Sequence, residues 1–311
     1  VPDPSEPDPS ADANPGASDG PPPEPKPTQA RLTLADEKEA VRVLYYGDPG
    51  KTKTTSALAM ARLGKVIAID SEAGMKPGAL RRQGIPIENI EPWRDIEYSM
   101  MLQLLWDVKD RIAKGEEIVG IVWDSMTATL PIFIDALVKT AVRKAERSGQ
   151  VREAWKTYQD DYGDMTNQVR ELYRMMRDLP IHLAITAHVR KGKDEDGMVE
   201  IGPNVTPALQ GDLFAFSDIV INMRAIQAGE TTLYTGVTVP TGRFKAKDRY
   251  GALPANMVTP TFDRIVGYVE DKIDLDNDTV QIEARAALAQ AASTPTNQTT
   301  DDEADVVSQE D

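Results

Sequence analysis

Apolar positions along the chain follow two rhythms. Short runs in which nearly every residue is apolar occur at 41–46 (VRVLYY), 65–70 (KVIAID), 117–125 (EIVGIVWDS) and 181–188 (IHLAITAH). Runs of this length bounded by turn residues predict strands buried on both faces of a sheet. Between them lie longer stretches with apolar residues three and four apart, at about 54–63, 95–115, 127–147 and 164–179. These predict helices, the second ending at Gly115 and the last closed off by Pro180. After residue 217 the rhythm becomes strand-like throughout, in DIVINMRAI (218–226), TTLYTGVTV (231–239) and GRFKAKDR (242–249), with hairpin-type turns at Ala228-Gly229 and Thr241-Gly242. The expected class is α/β: a mainly parallel sheet with helices on both faces and antiparallel strands added at the C-terminal side. No internal repeat is visible.

The ends differ from the body. Ten of the 22 prolines lie in residues 1–27, among Asp, Glu, Ser and Ala, a composition that buries too little apolar surface to offset ordering entropy. Residues 1–40 carry a charge of −6 and residues 291–311 another −6, leaving −3 of the total −15 for the middle. The acidity that would argue against a nucleic-acid partner therefore sits in the ends. The expected organisation is a disordered segment over 1–30, one core over 31–290 and a disordered acidic tail over 291–311. No basic n-region followed by an apolar h-region appears, so no secretory leader is expected, and no run is long enough to span a membrane. The chain has no cysteine and only His182 and His188, which excludes thiolate sites and disulfides and argues against histidine-held zinc. A cytoplasmic setting fits this usage.

The chemistry begins where the first strand ends. Residues 45–58, YYGDPGKTKTTSAL, fit the phosphate-loop pattern GxxxxGK[ST] if Gly47 opens it and Lys53-Thr54 close it. Thr52 then stands where the pattern has glycine. The mechanism is nevertheless served: a strand enters, the chain turns tightly, and a helix N-terminus follows, so backbone N–H groups and the helix dipole face phosphate oxygens. Gly47, Asp48, Pro49, Gly50, Lys51, Thr52, Lys53, Thr54 and Thr55 are the expected nucleotide contacts. Lys53 would reach the β and γ phosphates, and the Thr54 hydroxyl would ligate Mg2+. Three further features arrive in order. IAIDSEAG (67–74) puts Asp70 and Glu72 at a strand's carboxyl end, in the crevice where open α/β sheets bind ligands. GIVWDSMTATL (120–130) offers Asp124 as the carboxylate that holds Mg2+ through water. LAITAHVRKGK (183–193) ends a buried strand at His188, placed to sense the γ-phosphate.

Taken together these segments resemble RecA-like P-loop ATPases over about residues 41–270. KVIAIDSEAGMKPGALRRQGIPIENI (65–90) resembles the RecA segment in which a strand ends in Asp-x-Glu, and GIVWDSMTATL resembles the Walker B strand. ITAHVR (185–190) resembles the approach to the second DNA-binding loop. FKAKDRYG (244–251) resembles both the paired basic residues of RecA and the Lys-x-Arg-Phe-Gly type motif of RadA-like proteins. The compact size and the AKDRYGALP ending look most like phage ATPases of the Sak type, the RecA-like single-strand annealing proteins of bacterial hosts. The resemblance implies a RecA-like P-loop NTPase core, with Lys53 and Thr54 in the phosphate loop, Glu72 as catalytic glutamate, Asp124 as Walker B carboxylate and His188 as switch residue. It implies further that Lys247 and Arg249 reach an ATP bound to an adjacent subunit, where positive charge stabilises phosphoryl transfer.

Two basic stretches are candidates for single-stranded DNA, whose phosphates need neutralising and whose bases stack on rings. VRKAERSGQVREAWKTY (142–158) holds Arg143, Lys144, Arg147, Arg152 and Lys156 beside Trp155 and Tyr158, and the loop from His188 onward holds Arg190, Lys191 and Lys193. The reading is an ATP- and Mg2+-dependent, DNA-stimulated ATPase that assembles as a homo-oligomeric filament or ring on single-stranded DNA and promotes annealing or strand exchange, with a single-strand binding protein as a possible partner. A hexameric helicase or packaging motor, and a non-hydrolysing nucleotide-dependent DNA-binding module, stay open beside it.

Overall fold

The chain divides into Val1–Lys38 and Glu39–Asp311. The computed structural model describes residues 39–94, 96–193 and 197–293. The expectations for 1–30, for the first residues of the 31–290 core and for most of the 291–311 tail lie outside the described residues.

Six parallel strands form the centre of one ten-stranded sheet: β1 (Arg42–Gly47), β2 (Lys65–Asp70), β3 (Ile90–Arg94), β4 (Ile118–Asp124), β5 (His182–Lys193) and β7 (Ile219–Ala228). Their order is β7-β1-β5-β4-β2-β3, so β5 separates the strand entering the phosphate loop from the strand ending in Asp124. Antiparallel strands complete the sheet. β8 (Thr231–Val237) and β10 (Asn256–Val258) extend it beyond β7, the two-residue β9 (Lys247–Asp248) pairs with β7, and β6 (Val199–Pro203) forms a hairpin with the end of β5. This is the α/β class expected from the apolar rhythm, with its antiparallel strands on the C-terminal side.

Side-chain alternation sends the two halves of each central strand into different cores. Leu44 and Tyr46 pack with α3 (Tyr98–Ala113), α4 (Met126–Arg147), α5 (Gln159–Arg177) and α6 (Pro207–Phe216). Val43 and Tyr45 pack on the opposite face with α1 (Lys53–Leu58), the 3-10 turn Ala59–Arg62, α2 (Pro77–Arg82) and α7 (Phe262–Val269). A last helix, α8 (Thr279–Ser293), covers the β10 edge, where the Gln281 carboxamide accepts from Val258 N–H at 2.9 Å and donates to Asn256 O at 2.7 Å.

Several boundaries differ from the sequence expectation, among them that of β5, which runs past His188 to Lys193. The helix expected from 164 starts at Gln159, because Asp161 caps it by accepting from Tyr158 N–H at 2.8 Å. The helix expected over 54–63 tightens into 3-10 geometry after Leu58. GRFKAKDR is not one strand. Arg243 O and Lys245 N bond to Ile201, and only Lys247-Asp248 reach β7, so the backbone is shared between two partners.

Candidate functional site

The carboxyl ends of β1, β2, β4 and β5 converge at the N-terminus of α1. Gly47 is required by packing: a Cβ there would stand 2.6 Å from Met223 O. Gly50 has φ +74°. Thr52 also adopts the left-handed conformation, φ 57° and ψ 17°, and its carbonyl accepts from Ser56 N–H at 2.8 Å. The threonine thus holds the backbone shape that glycine adopts freely.

Lys53 opens α1 and is almost fully buried. Its ammonium donates to Gly47 O and Asp48 O, both at 2.9 Å. Burial pulls its pKa below the ordinary lysine value, opposed by the charges of Asp124, Glu72 and Asp48. Asp124, 3% exposed, accepts from the Thr186 hydroxyl at 2.5 Å, with the Thr54 hydroxyl near enough to favour its charged form. Desolvation raises its pKa, the two hydroxyls lower it, and Glu72 and Asp70 raise it further. Asp70 has a different job from its neighbour Glu72. Its buried carboxylate ties down the following turn through Gly74 N–H at 2.9 Å and pairs with Arg94 at 3.1 Å. Glu72 projects from that turn, and its Oε1 meets the Ser125 hydroxyl and His188 Nε2, the latter at 2.8 Å. His188 in turn donates its backbone N–H to Thr127 Oγ1 at 3.0 Å. Lys53, Thr54, Glu72, Asp124 and His188 are therefore gathered in one place.

Lys247 and Arg249 are not. They lie where β9 pairs with Ile219 and Val220, at the amino end of β7 and the opposite end of the sheet from Gly47. Lys247 donates to Phe214 O and Ser217 O, both at 2.7 Å. Burial lowers its pKa, and the neighbouring Arg249 adds to that. Arg249 pairs with Asp218 at 2.6 Å and donates to Ala215 O at 3.1 Å. Within the chain this pair does not join the phosphate loop.

The chain matches the AAA domain family (AAA_24) over residues 39–250. It belongs to that family. No curated protein matches it significantly. Among solved structures, a KaiC-like protein from Pyrococcus horikoshii OT3 is similar at 13% identity, covering 63% of this chain and 77% of that one with a TM-score of 0.34. As an AAA domain protein the chain is a P-loop NTPase, and its loop binds nucleotide. The donor set fits Mg2+: the Thr54 hydroxyl and the Asp124 carboxylate are hard oxygens close enough for the first to act on the pKa of the second, and such sites take one or two protein oxygens plus water and phosphate. No helix among the described residues is long and apolar enough to cross a membrane.

The basic stretches separate in this AAA domain. Arg143, Lys144 and Arg147 are exposed at the end of α4. Arg152 is a structural group: it bonds both Asp161 oxygens at 2.6 Å and lies 4.6 Å from the Tyr158 ring centre. Lys156 lies 3.8 Å from Glu153, while Trp155 is 81% exposed. Arg190, Lys191 and Lys193 sit on the β5–β6 hairpin rather than on a loop.

Sequence reading missed a second feature, a cavity of ≈ 540 Å³ between that hairpin and the end of β7. Lys51, Lys191, Arg224 and Arg243 line it, with Asp48 as the one carboxylate. Phe244 carries Arg224 and Arg243 at 4.6 and 5.6 Å from its ring centre, and no ion pair neutralises any of the four cations among the described residues. Asn222, 3% exposed, contributes a carbonyl oxygen without a partner. Asn222 and Arg224 share the strand face of Val220, which belongs to the α3–α6 core, so the cavity lies across the sheet from α1. Only the alternation within β7 pointed to this, because the cations come from four separate segments.

Proposed function

We propose that the protein hydrolyses ATP in a homo-oligomer on single-stranded DNA and promotes annealing or strand exchange there. The observation that carries the ATPase part is the convergence of Lys53, Thr54, Asp124 and Glu72 at one helix N-terminus. Lys53 exchanges the Gly47 and Asp48 carbonyls for phosphate oxygens, and the amides from Gly50 to Thr55 complete the grip. Thr54 and Asp124 would hold Mg2+, which when bound would neutralise charge on the phosphates. Glu72 takes a proton from the attacking water, whose oxygen bonds to the γ-phosphorus while the bond to the β,γ-bridging oxygen breaks and its electron pair leaves on ADP. His188 reads the γ-phosphate. Lys247 and Arg249 serve a neighbour's nucleotide.

The DNA part is supported by the unpaired cations beside the phosphate loop, in a chain whose overall charge is −15. A strand lying over Lys191, Arg224 and Arg243 would touch the segment that holds ATP, so nucleotide state and DNA affinity would be linked. The test is the ATPase rate with and without single-stranded DNA, for the unaltered protein, Lys53→Ala and Arg249→Ala. Stimulation by DNA, loss in both variants and partial rescue on mixing them are expected, because an intact loop on one subunit then meets an intact basic pair on its neighbour. Full activity of Arg249→Ala refutes the intersubunit role. ATP-driven strand separation would select a motor instead.

A further inference from the structure

We infer that Ser125 is the positioning residue that holds Glu72 in the orientation needed to take a proton from water, an inference that rests on the ATPase reading above. Ser125 follows Asp124, is 1% exposed and caps α4. Its oxygen accepts from Ala128 N–H at 3.2 Å, and its proton goes to Glu72 Oε1. A hydroxyl has one proton and a carboxylate only accepts, so the direction of this relay is fixed. His188 Nε2 reaches the same Oε1, which requires that nitrogen to carry its proton. Two donors on Oε1 leave Oε2 without a hydrogen-bond partner among the described residues, and it is the oxygen that can accept from water.

The two donors are not equivalent. The turn carrying Glu72 is anchored at both ends, by Ser71 N–H to Asp124 O at 2.8 Å and by Gly74 N–H to Asp70. Among the described residues the Glu72 side chain itself, 35% exposed, is held only by Ser125 and His188. His188 is 37% exposed and has a competing partner once a γ-phosphate is present. Ser125 is enclosed and tied to the first turn of a 22-residue helix. When His188 turns toward phosphate, Ser125 alone fixes the carboxylate plane. In the step this serves, the water oxygen–phosphorus bond forms, the bridging bond breaks with its electrons on ADP, and the water's proton passes to Oε2.

Three substitutions separate positioning from capping. Ser125→Ala removes both the cap and the donor. Ser125→Thr keeps both, since threonine caps helices nearly as well. Ser125→Asp keeps an oxygen for Ala128 N–H, and aspartate is a good cap, but it has no proton for Glu72. With kcat, KM and the affinity for a fluorescent ATP analogue measured for each, Ser125→Ala is expected to lose about 10- to 100-fold in kcat, a part of the roughly 10²- to 10⁴-fold that a general base contributes, since the base itself remains, with analogue affinity within about twofold of the unaltered protein. Ser125→Thr should recover most of the rate, and Ser125→Asp should be no better than Ser125→Ala. Ser125→Asp turning over like the unaltered protein, or Ser125→Ala within twofold of it, overturns the inference. Glu72→Gln is the control: if it is fully active, the role of Glu72 as base is wrong, and if it is inactive while Ser125→Ala is not, only the role of Ser125 is wrong.

Discussion

Thr52 sits in a conformation that costs free energy, and replacing it tests whether the loop is strained as described. At φ 57° an L-residue is disfavoured by about 1–2 kcal/mol, and a β-branched side chain belongs at the upper end. Thr52 recovers nothing through its side chain, which makes no capping hydrogen bond. Glycine removes the clash but loses about 0.4–1 kcal/mol through the greater freedom of the unfolded chain. The net gain for Thr52→Gly is therefore about 1–1.6 kcal/mol, or roughly 2–6 °C in Tm for a domain of this size. Thr52→Val keeps the branch and the strain and should not gain. The assay is thermal unfolding of the nucleotide-free proteins, with both variants beside the unaltered chain. A lower Tm for Thr52→Gly, or an equal rise for Thr52→Val, would show that residue 52 is not strained in the folded protein.

Two further outcomes concern stability away from the loop. Arg152→Ala should cost about 1–3 kcal/mol in urea unfolding because it strips a charge-assisted pair from Asp161, which is 4% exposed, whereas Lys156→Ala, at an exposed pair, should stay within about 0.5 kcal/mol. The Arg111 guanidinium, ahead of the Trp93 and Lys65 bonds, holds Glu91 down at about 2 from its ordinary 4.5. A carboxylate with a lowered folded pKa contributes stability above the unfolded value and loses it as pH falls. Unfolding midpoints should therefore drop between about pH 4.5 and 2, and Glu91→Gln should flatten that part of the acid limb; an unchanged limb would show that Glu91 is not so paired.

What could be read from the chain followed from how local the determinant is. KVIAID became a strand with the expected bounds because an apolar run between a turn glycine and an acidic turn has no competing geometry. The strand IEPWR was overlooked because it is an edge strand: Pro92 removes a ladder donor, and the burial is partial. Helix α6 carried a legible start in Thr206-Pro207, whose hydroxyl accepts from Leu209 N–H, but its apolar residues run around the helix instead of forming a stripe. Asp70 and Glu72 look alike in sequence. The resemblance singled out Glu72, and the fold supplies the physical difference by closing Gly74 N–H and Arg94 over Asp70 and leaving Glu72 facing His188. Arg224 and Arg243 lie 19 positions apart and meet at Phe244 because β6 captures the 243–245 backbone, a pairing with no local signature.

That same capture bears on how an assembly would form. The phosphate loop lies at the carboxyl end of β1, while Lys247 and Arg249 lie beside the amino end of β7, parallel to it. If the basic pair of one subunit completes the nucleotide site of the next, the contact joins different surfaces and is head-to-tail, so assembly closes into a ring or grows as a filament rather than ending at a dimer. The pair is already engaged in the single chain, Lys247 with the carbonyls at the end of α6 and Arg249 with Asp218. A neighbour's triphosphate must therefore outcompete those oxygens, and it can, because it presents several negative charges where the helix end presents partial ones and Asp218 a single one. An empty neighbour offers no such charge, and the pair then remains where the fold holds it. On the proposed reading, the contact between subunits is strong when ATP lies between them and weak once it has left, and this difference, not a separate latch, links hydrolysis to assembly.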